Sequence, residues 1–130
     1  MQLTETEFVK QFEAATLETF HHAEHVRIAW IYLRDYPAIE ALQRFCSNLK
    51  QFAAARGAHK LYHETITWAY FMLIQERMQK CKGASWEVFA EENQDLLDWK
   101  NSILKKYYSE QTLKSDLARS TFLLPDLLRN

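Results

Sequence analysis

Between the first residue and the last, four residues break a helix: Pro37, Gly57, Gly83 and Pro125. Everything between them lacks glycine and proline, and apolar side chains recur there every three or four positions. That pattern is helical, and no run alternates as a strand does. The expected fold is therefore all-α: a single-domain helical bundle over residues 1–130, with shorter C-terminal helices and an apolar C-terminal strap. At this length one domain can bury a core without disulfides or a structural metal.

Local signals place the elements. Thr4 with Glu7 has capping-box spacing and opens a helix that carries Phe8 and Phe12 inward. A break near Thr16 separates it from a second helix, which should stop near Tyr36 because Pro37 disfavours helical geometry in the residue before it. Pro37 suits the first turn of a third helix, in which Ile39, Leu42, Phe45, Leu49 and Phe52 form the inward line as far as Arg56. Gly57 supplies a left-handed stop.

A fourth helix is expected from about Lys60 to Lys80, with Ile66, Tyr70, Ile74 and Met78 on its apolar face and Gly83 past its end. Ser85 caps a shorter helix through Trp86 and Phe89. Asn93 caps another, with Leu97, Asn101, Leu104 and Tyr108 inward. Thr112 to Arg119 makes two turns. The final TFLLPDLL is a strap over the core or, in the sharper alternative, a lid over a site.

Four of the five histidines fall in two segments, FHHAEHVRIAW and YHETITWAY. On a wheel of about 100° per residue, Val26, Ala29, Leu33 and Tyr36 define one face of the first. His22 and His25 lie in the middle of that face, and Glu24, Arg27, Arg34 and Asp35 gather opposite. His63 lies on the apolar face of the second segment, with Thr67 one turn on. Three imidazoles thus stand where hydrophobic side chains belong, and each buried ring needs partners for both nitrogens.

His22 and His25 are one turn apart and can converge on one ion, with His63 as third ligand from a neighbouring helix. Three histidines with coordination positions left open suit zinc or non-haem iron. Glu64 is a fourth ligand, a general base, a carboxylate that orients an imidazole, or a surface carboxylate at a helix start. His21 replaces His22 if the helix is rotated, and His59 reads as a loop residue. Tyr32 and Tyr70 have hydroxyls that could reach the site, Tyr70 being the candidate catalytic phenol beside Glu64.

The expected function is a small metal-dependent enzyme, an oxygenase or hydrolase acting on a small molecule. The alternatives are a metal-free ligand-binding or accessory protein with a buried histidine network, and a purely structural bundle. A net charge of −1 gives no reason to expect nucleic acid as partner. No apolar run is long enough to span a bilayer, and the N-terminus lacks the pattern of a secretion signal, so a cytoplasmic protein is expected. Cys46 and Cys81 have no CxxC spacing and read as buried thiols. There is no Gly-rich phosphate loop and no GxSxG elbow, so phosphoryl transfer and serine-type acyl chemistry are not expected.

The segments FHHAEHVRIAW, YHETIT and YYS followed by ARSTFLLPDLL resemble a group of small bacterial helical proteins. The resemblance covers most of the chain after Phe20 and singles out His22, His25, His63 and Glu64 as a set. It implies no particular reaction. A looser likeness, at the level of fold, is to the DinB-like bundles, which bind a metal through three histidines on different helices; here two would come from one turn of one helix.

Overall fold

The computed structural model describes residues 3–127, with His59 described by its backbone alone. The described residues are all-α, without a strand. Helix α1 spans Glu5–Glu13, α2 His22–Asp35, α3 Ala38–Ala55 and α4 Glu64–Lys80. The shorter helices are α5 Trp86–Glu92, α6 Gln94–Leu97, α7 Glu110–Leu113 and α8 Asp116–Ser120. Single 3-10 turns lie at His59–Leu61 and Ile103–Lys106.

The expected boundaries have identifiable causes. The Thr4 hydroxyl accepts from the Glu7 N–H at 3.1 Å and the Glu7 carboxylate accepts from the Thr4 N–H at 2.9 Å, which closes the capping box. Tyr36 is extended (φ −132°, ψ 154°), as the residue before a proline must be, and Pro37 serves as the N-cap of α3 rather than sitting inside its first turn. Gly57 ends α3 at φ 66°, a left-handed backbone that a Cβ would strain even though open space surrounds it. Ser85 Oγ accepts from the Val88 N–H at 3.2 Å at the start of α5. Ser85→Ala is expected to cost about 1 kcal/mol, read as a lowered midpoint in urea unfolding.

Helix α2 is the centre of the molecule. It packs against α3, α4 and α6, and Val26, Ile28, Ala29, Trp30, Ile31 and Tyr32 are all buried. It therefore buries far more of its circumference than the single apolar face expected from the wheel. Trp30 is covered by α5 through Trp86 and Phe89, with ring centroids 5.8 and 6.4 Å away. Arg27 is drawn into this packing too, its guanidinium 5.2 Å from the Phe8 ring centroid.

Helix α3 turns Ala41, Phe45, Leu49 and Phe52 inward. Ile39 departs from the expected line and is 79 % exposed, because it sits well round the wheel from Ala41. Helix α4 begins at Glu64, later than expected: the 3-10 turn, Tyr62 and the extended His63 come first. Cys46 and Cys81 are free thiols and only half-buried.

The long helix expected after Asn93 does not form. Asn93 caps nothing with its side chain, which donates to the Phe89 carbonyl at 2.9 Å and accepts from Arg77 at 2.9 Å. At Asp98 the backbone leaves the helical region (φ −87°, ψ 98°), and its carboxylate captures the Asn101 N–H at 3.1 Å. Asn101 is consequently exposed and Leu97 only partly buried, with Leu96 buried in its place, while Leu104 and Tyr108 still reach the core.

Residues 121–127 strap α4. Phe122 stacks on Trp68 with centroids 5.2 Å apart, and the Tyr108 hydroxyl donates to the Leu123 carbonyl at 2.7 Å. Asp126 accepts from the Ser109 N–H and the Thr112 hydroxyl at 2.9 and 3.0 Å. Among the described residues no helix is long and apolar enough to cross a membrane.

Candidate functional site

Helices α2, α3 and α4, with the turn at His59–Leu61, border an open cavity of about 590 Å³. Its wall is mainly apolar, built from Val26, Phe45, Leu49, Phe52 and Ile66 among others. The polar side chains on it include His22, His25, His63, Thr67 and Tyr70, so one cavity collects the three candidate imidazoles and the candidate phenol.

Two of the imidazoles face outward from α2 one turn apart. His22 Nε2 lies 2.8 Å from the Leu96 carbonyl in α6, which requires the proton on that nitrogen and leaves Nδ1 an acceptor in the neutral ring. Its ring meets Tyr70 edge-on, centroids 4.6 Å apart, and Trp99 at 5.0 Å. Burial holds its pKa below the usual value, against the opposing pull of the Leu96 carbonyl and Asp98. His25 stacks on Phe20 with centroids 4.1 Å apart. Burial, with His22 close by, pushes it down to about 4, opposed by the Phe20 backbone carbonyl.

The third imidazole caps a helix. Extended backbone at His63 (φ −135°, ψ 111°) lets its Nδ1 accept from the Ile66 N–H at 3.1 Å, a position usually filled by Ser, Thr, Asp or Asn. Its Nε2 donates to the Leu113 carbonyl at 2.7 Å. Two independent bonds thus fix one neutral tautomer, and burial, the largest influence, lowers its pKa as well. His63 stands before α4, not on its apolar face.

One arrangement recurs. Each ring lies against a backbone carbonyl outside the long helices: Leu96 in α6, Phe20 in the segment before α2, and Leu113 at the end of α7. The imidazoles tie the short elements to the bundle, and burial favours their neutral form. His22 retains Nδ1 beyond that carbonyl bond.

Other candidates are placed elsewhere. The Glu64 carboxylate is turned to Tyr62, accepting its hydroxyl at 2.6 Å, and is not part of the cavity wall. Tyr32 is also off the wall; its hydroxyl donates to Glu13 at 2.5 Å and accepts from Asn48 at 3.1 Å. His21 occupies the N-cap position of α2, where the Glu24 carboxylate accepts its backbone N–H at 2.9 Å. The His59 side chain lies outside what the structure describes.

Tyr70 shares a 2.6 Å hydrogen bond with Ser102. Trp99, 53 % exposed, joins the wall beside it. Arg56 and Arg119 complete the wall and are exposed. Trp99 and the two arginines carry no sequence signal of their own, since they come from loop and helix-end positions that only the fold assembles.

Among the described residues no group of three or more His, Cys, Asp or Glu side chains is arranged to hold a metal ion. No family model matches the chain, and no curated protein or solved structure matches it.

Proposed function

We propose that the protein binds a small, largely apolar organic molecule in the cavity between α2, α3 and α4. The observation that carries this reading is the cavity itself: about 590 Å³, walled mainly by aliphatic and aromatic side chains, with His22, His25, Thr67 and Tyr70 as polar groups on it. Ligand sites have that size and that mixture of apolar wall and sparse polar groups. Neutral imidazoles suit an apolar occupant, because they offer an acceptor without placing a charge in the wall.

Ala53 lines the cavity from α3, where leucine is well tolerated. Ala53→Leu is expected to weaken binding of the fluorescent probe 2-p-toluidinonaphthalene-6-sulfonate about tenfold or more while leaving the far-UV helical spectrum unchanged, since added bulk opposes entry. Equal probe affinity in both proteins, or no binding to either, would remove the support for this reading.

A second reading is the metal enzyme, favoured by His22, His25 and His63 sharing one wall. An iron or zinc ion there would supply activation of a bound water, or of dioxygen in the case of iron. His63 would first have to give up both its bonds, to Ile66 and Leu113. In this reading Glu64 would also have to leave Tyr62 to serve as ligand or base. Elemental analysis of untagged protein discriminates: close to one equivalent of metal, lost in His25→Ala with the helical spectrum kept, supports it. No metal, and none taken up on reconstitution, defeats it.

A further inference from the structure

Charge on the cavity wall is one-sided. Arg56 and Arg119 are on it, and no aspartate or glutamate is. The other arginines shown in ion pairs, Arg34, Arg44 and Arg77, face carboxylates at 2.7 to 2.9 Å. Arg56 and Arg119 have no such partner among the described residues. Each is instead held by a backbone carbonyl, Arg56 Nη1 donating to Glu18 at 3.2 Å and Arg119 Nη1 donating to Lys60 at 2.6 Å.

Those tethers aim the pair. Arg56 is the C-cap residue of α3, just before the 3-10 turn, with its guanidinium 4.8 Å from the ring centroid of Phe52. Arg119 reaches across from α8 to that same turn through Lys60. The Arg56 guanidinium is thus held toward Glu18 and Phe52 and that of Arg119 toward Lys60, and both residues share the cavity wall with Ala58, Leu61 and Tyr62. One donor of each is used on a carbonyl, and a guanidinium has five. Leu61, on the same turn, is 77 % exposed, so an apolar surface continues outward from the cavity beside the two charges.

Resting on the reading of this cavity as a binding site, we infer that its ligand is an amphipathic organic anion, a carboxylate with an aromatic or aliphatic body. The body lies against Phe45, Phe52 and Ile66, and the charged end meets Arg56 and Arg119 at the rim. A guanidinium matches a carboxylate with paired N–H donors, and the exchange of water for that partner is least costly at an exposed rim. A cationic ligand would meet two like charges there and no compensating acid.

Isosteric probes separate the charge from the cavity. Naphthalene-2-carboxylate and naphthalene-2-carboxamide differ in charge and little in shape, as do decanoate and decanamide; titration calorimetry at 50 mM and 300 mM salt reads both pairs. The carboxylate of at least one pair is expected to bind about tenfold more tightly than its amide at low salt, from charge-assisted hydrogen bonds. Higher salt should narrow that gap. Arg56→Gln and Arg119→Gln should each erase several-fold of it and leave amide affinity unchanged, a pattern that loss of fold would not give. Amides that bind as tightly as the acids would overturn the anion inference and leave the cavity reading standing. A gap that survives both arginine substitutions would overturn the assignment to these residues. Absence of binding by all four probes would overturn both.

Discussion

Thr65→Val is expected to destabilise the protein by about 2 kcal/mol, a fall of roughly 6–10 °C in melting temperature for a chain of this size. Thr65 is 0 % exposed, and its hydroxyl is the joint between α4 and the strap. It donates to the Thr121 carbonyl at 2.7 Å and accepts from the Leu123 N–H at 3.1 Å. Valine keeps the shape and removes both bonds, leaving a backbone donor and acceptor to find water by lifting the strap. Thr65→Ser should recover most of the loss, because it restores the hydroxyl at the cost of one buried methyl. Amide exchange at Leu123 reports the same event locally and should accelerate in the valine variant alone. A valine variant as stable as the parent would show that the strap contributes nothing through this joint.

The features legible in the sequence share a short range. Thr4 with Glu7, Tyr36 before Pro37, Gly57 after α3 and Ser85 before α5 each act through groups within a few residues, so composition and spacing reveal them. Ile39 and the region after Asn93 misled because apolar spacing does not say which element covers which face. Leu104 reaches the core from a 3-10 turn, and Tyr108 from just beyond it, as well as they would from a helix. Trp30 shows the same gap from the other direction: its burial follows from α5, which lies far away in sequence.

The site divides in the same way. The spacing of His22 and His25, with Tyr70 two helices on, pointed to side chains that do meet in one cavity. The role of the rings was not legible, since His22 and His63 bond the carbonyls of Leu96 and Leu113, and backbone groups leave no mark in a side-chain pattern. His63 as a helix cap was hidden for a related reason: capping is recognised through Ser, Thr, Asp and Asn, and imidazole Nδ1 presents the same acceptor in another residue. Arg56 and Arg119 reach one cavity wall held by the Glu18 and Lys60 carbonyls, again outside any side-chain code.

Between pH 6.5 and 4 the protein is expected to lose about 3 kcal/mol of stability through His25 alone, since one pKa unit corresponds to about 1.4 kcal/mol. The native state holds this ring down to about 4, whereas the unfolded chain protonates it near 6.5. As pH falls the unfolded state takes up the proton first, so the contribution is complete above 6.5 and disappears on the way to 4. His22 and His63 are also lowered by burial and push in the same direction. Carboxylates bonded to arginine, Glu5 to Arg34 and Asp95 to Arg77, are lowered too, but they act below their unfolded values of 4.5 and 3.8. The window above them therefore belongs to histidine. Urea midpoints at pH 7.5, 5.5 and 4.5 measure it, and His25→Gln, which cannot titrate, should flatten the decline while lowering stability at pH 7.5. A parent protein equally stable across that range, or a glutamine variant with an unchanged slope, would refute the assignment. The physical cause is the one that shapes the cavity: neutral rings keep an apolar wall intact, and a proton on His25 would place an unpaired charge between Phe20 and His22.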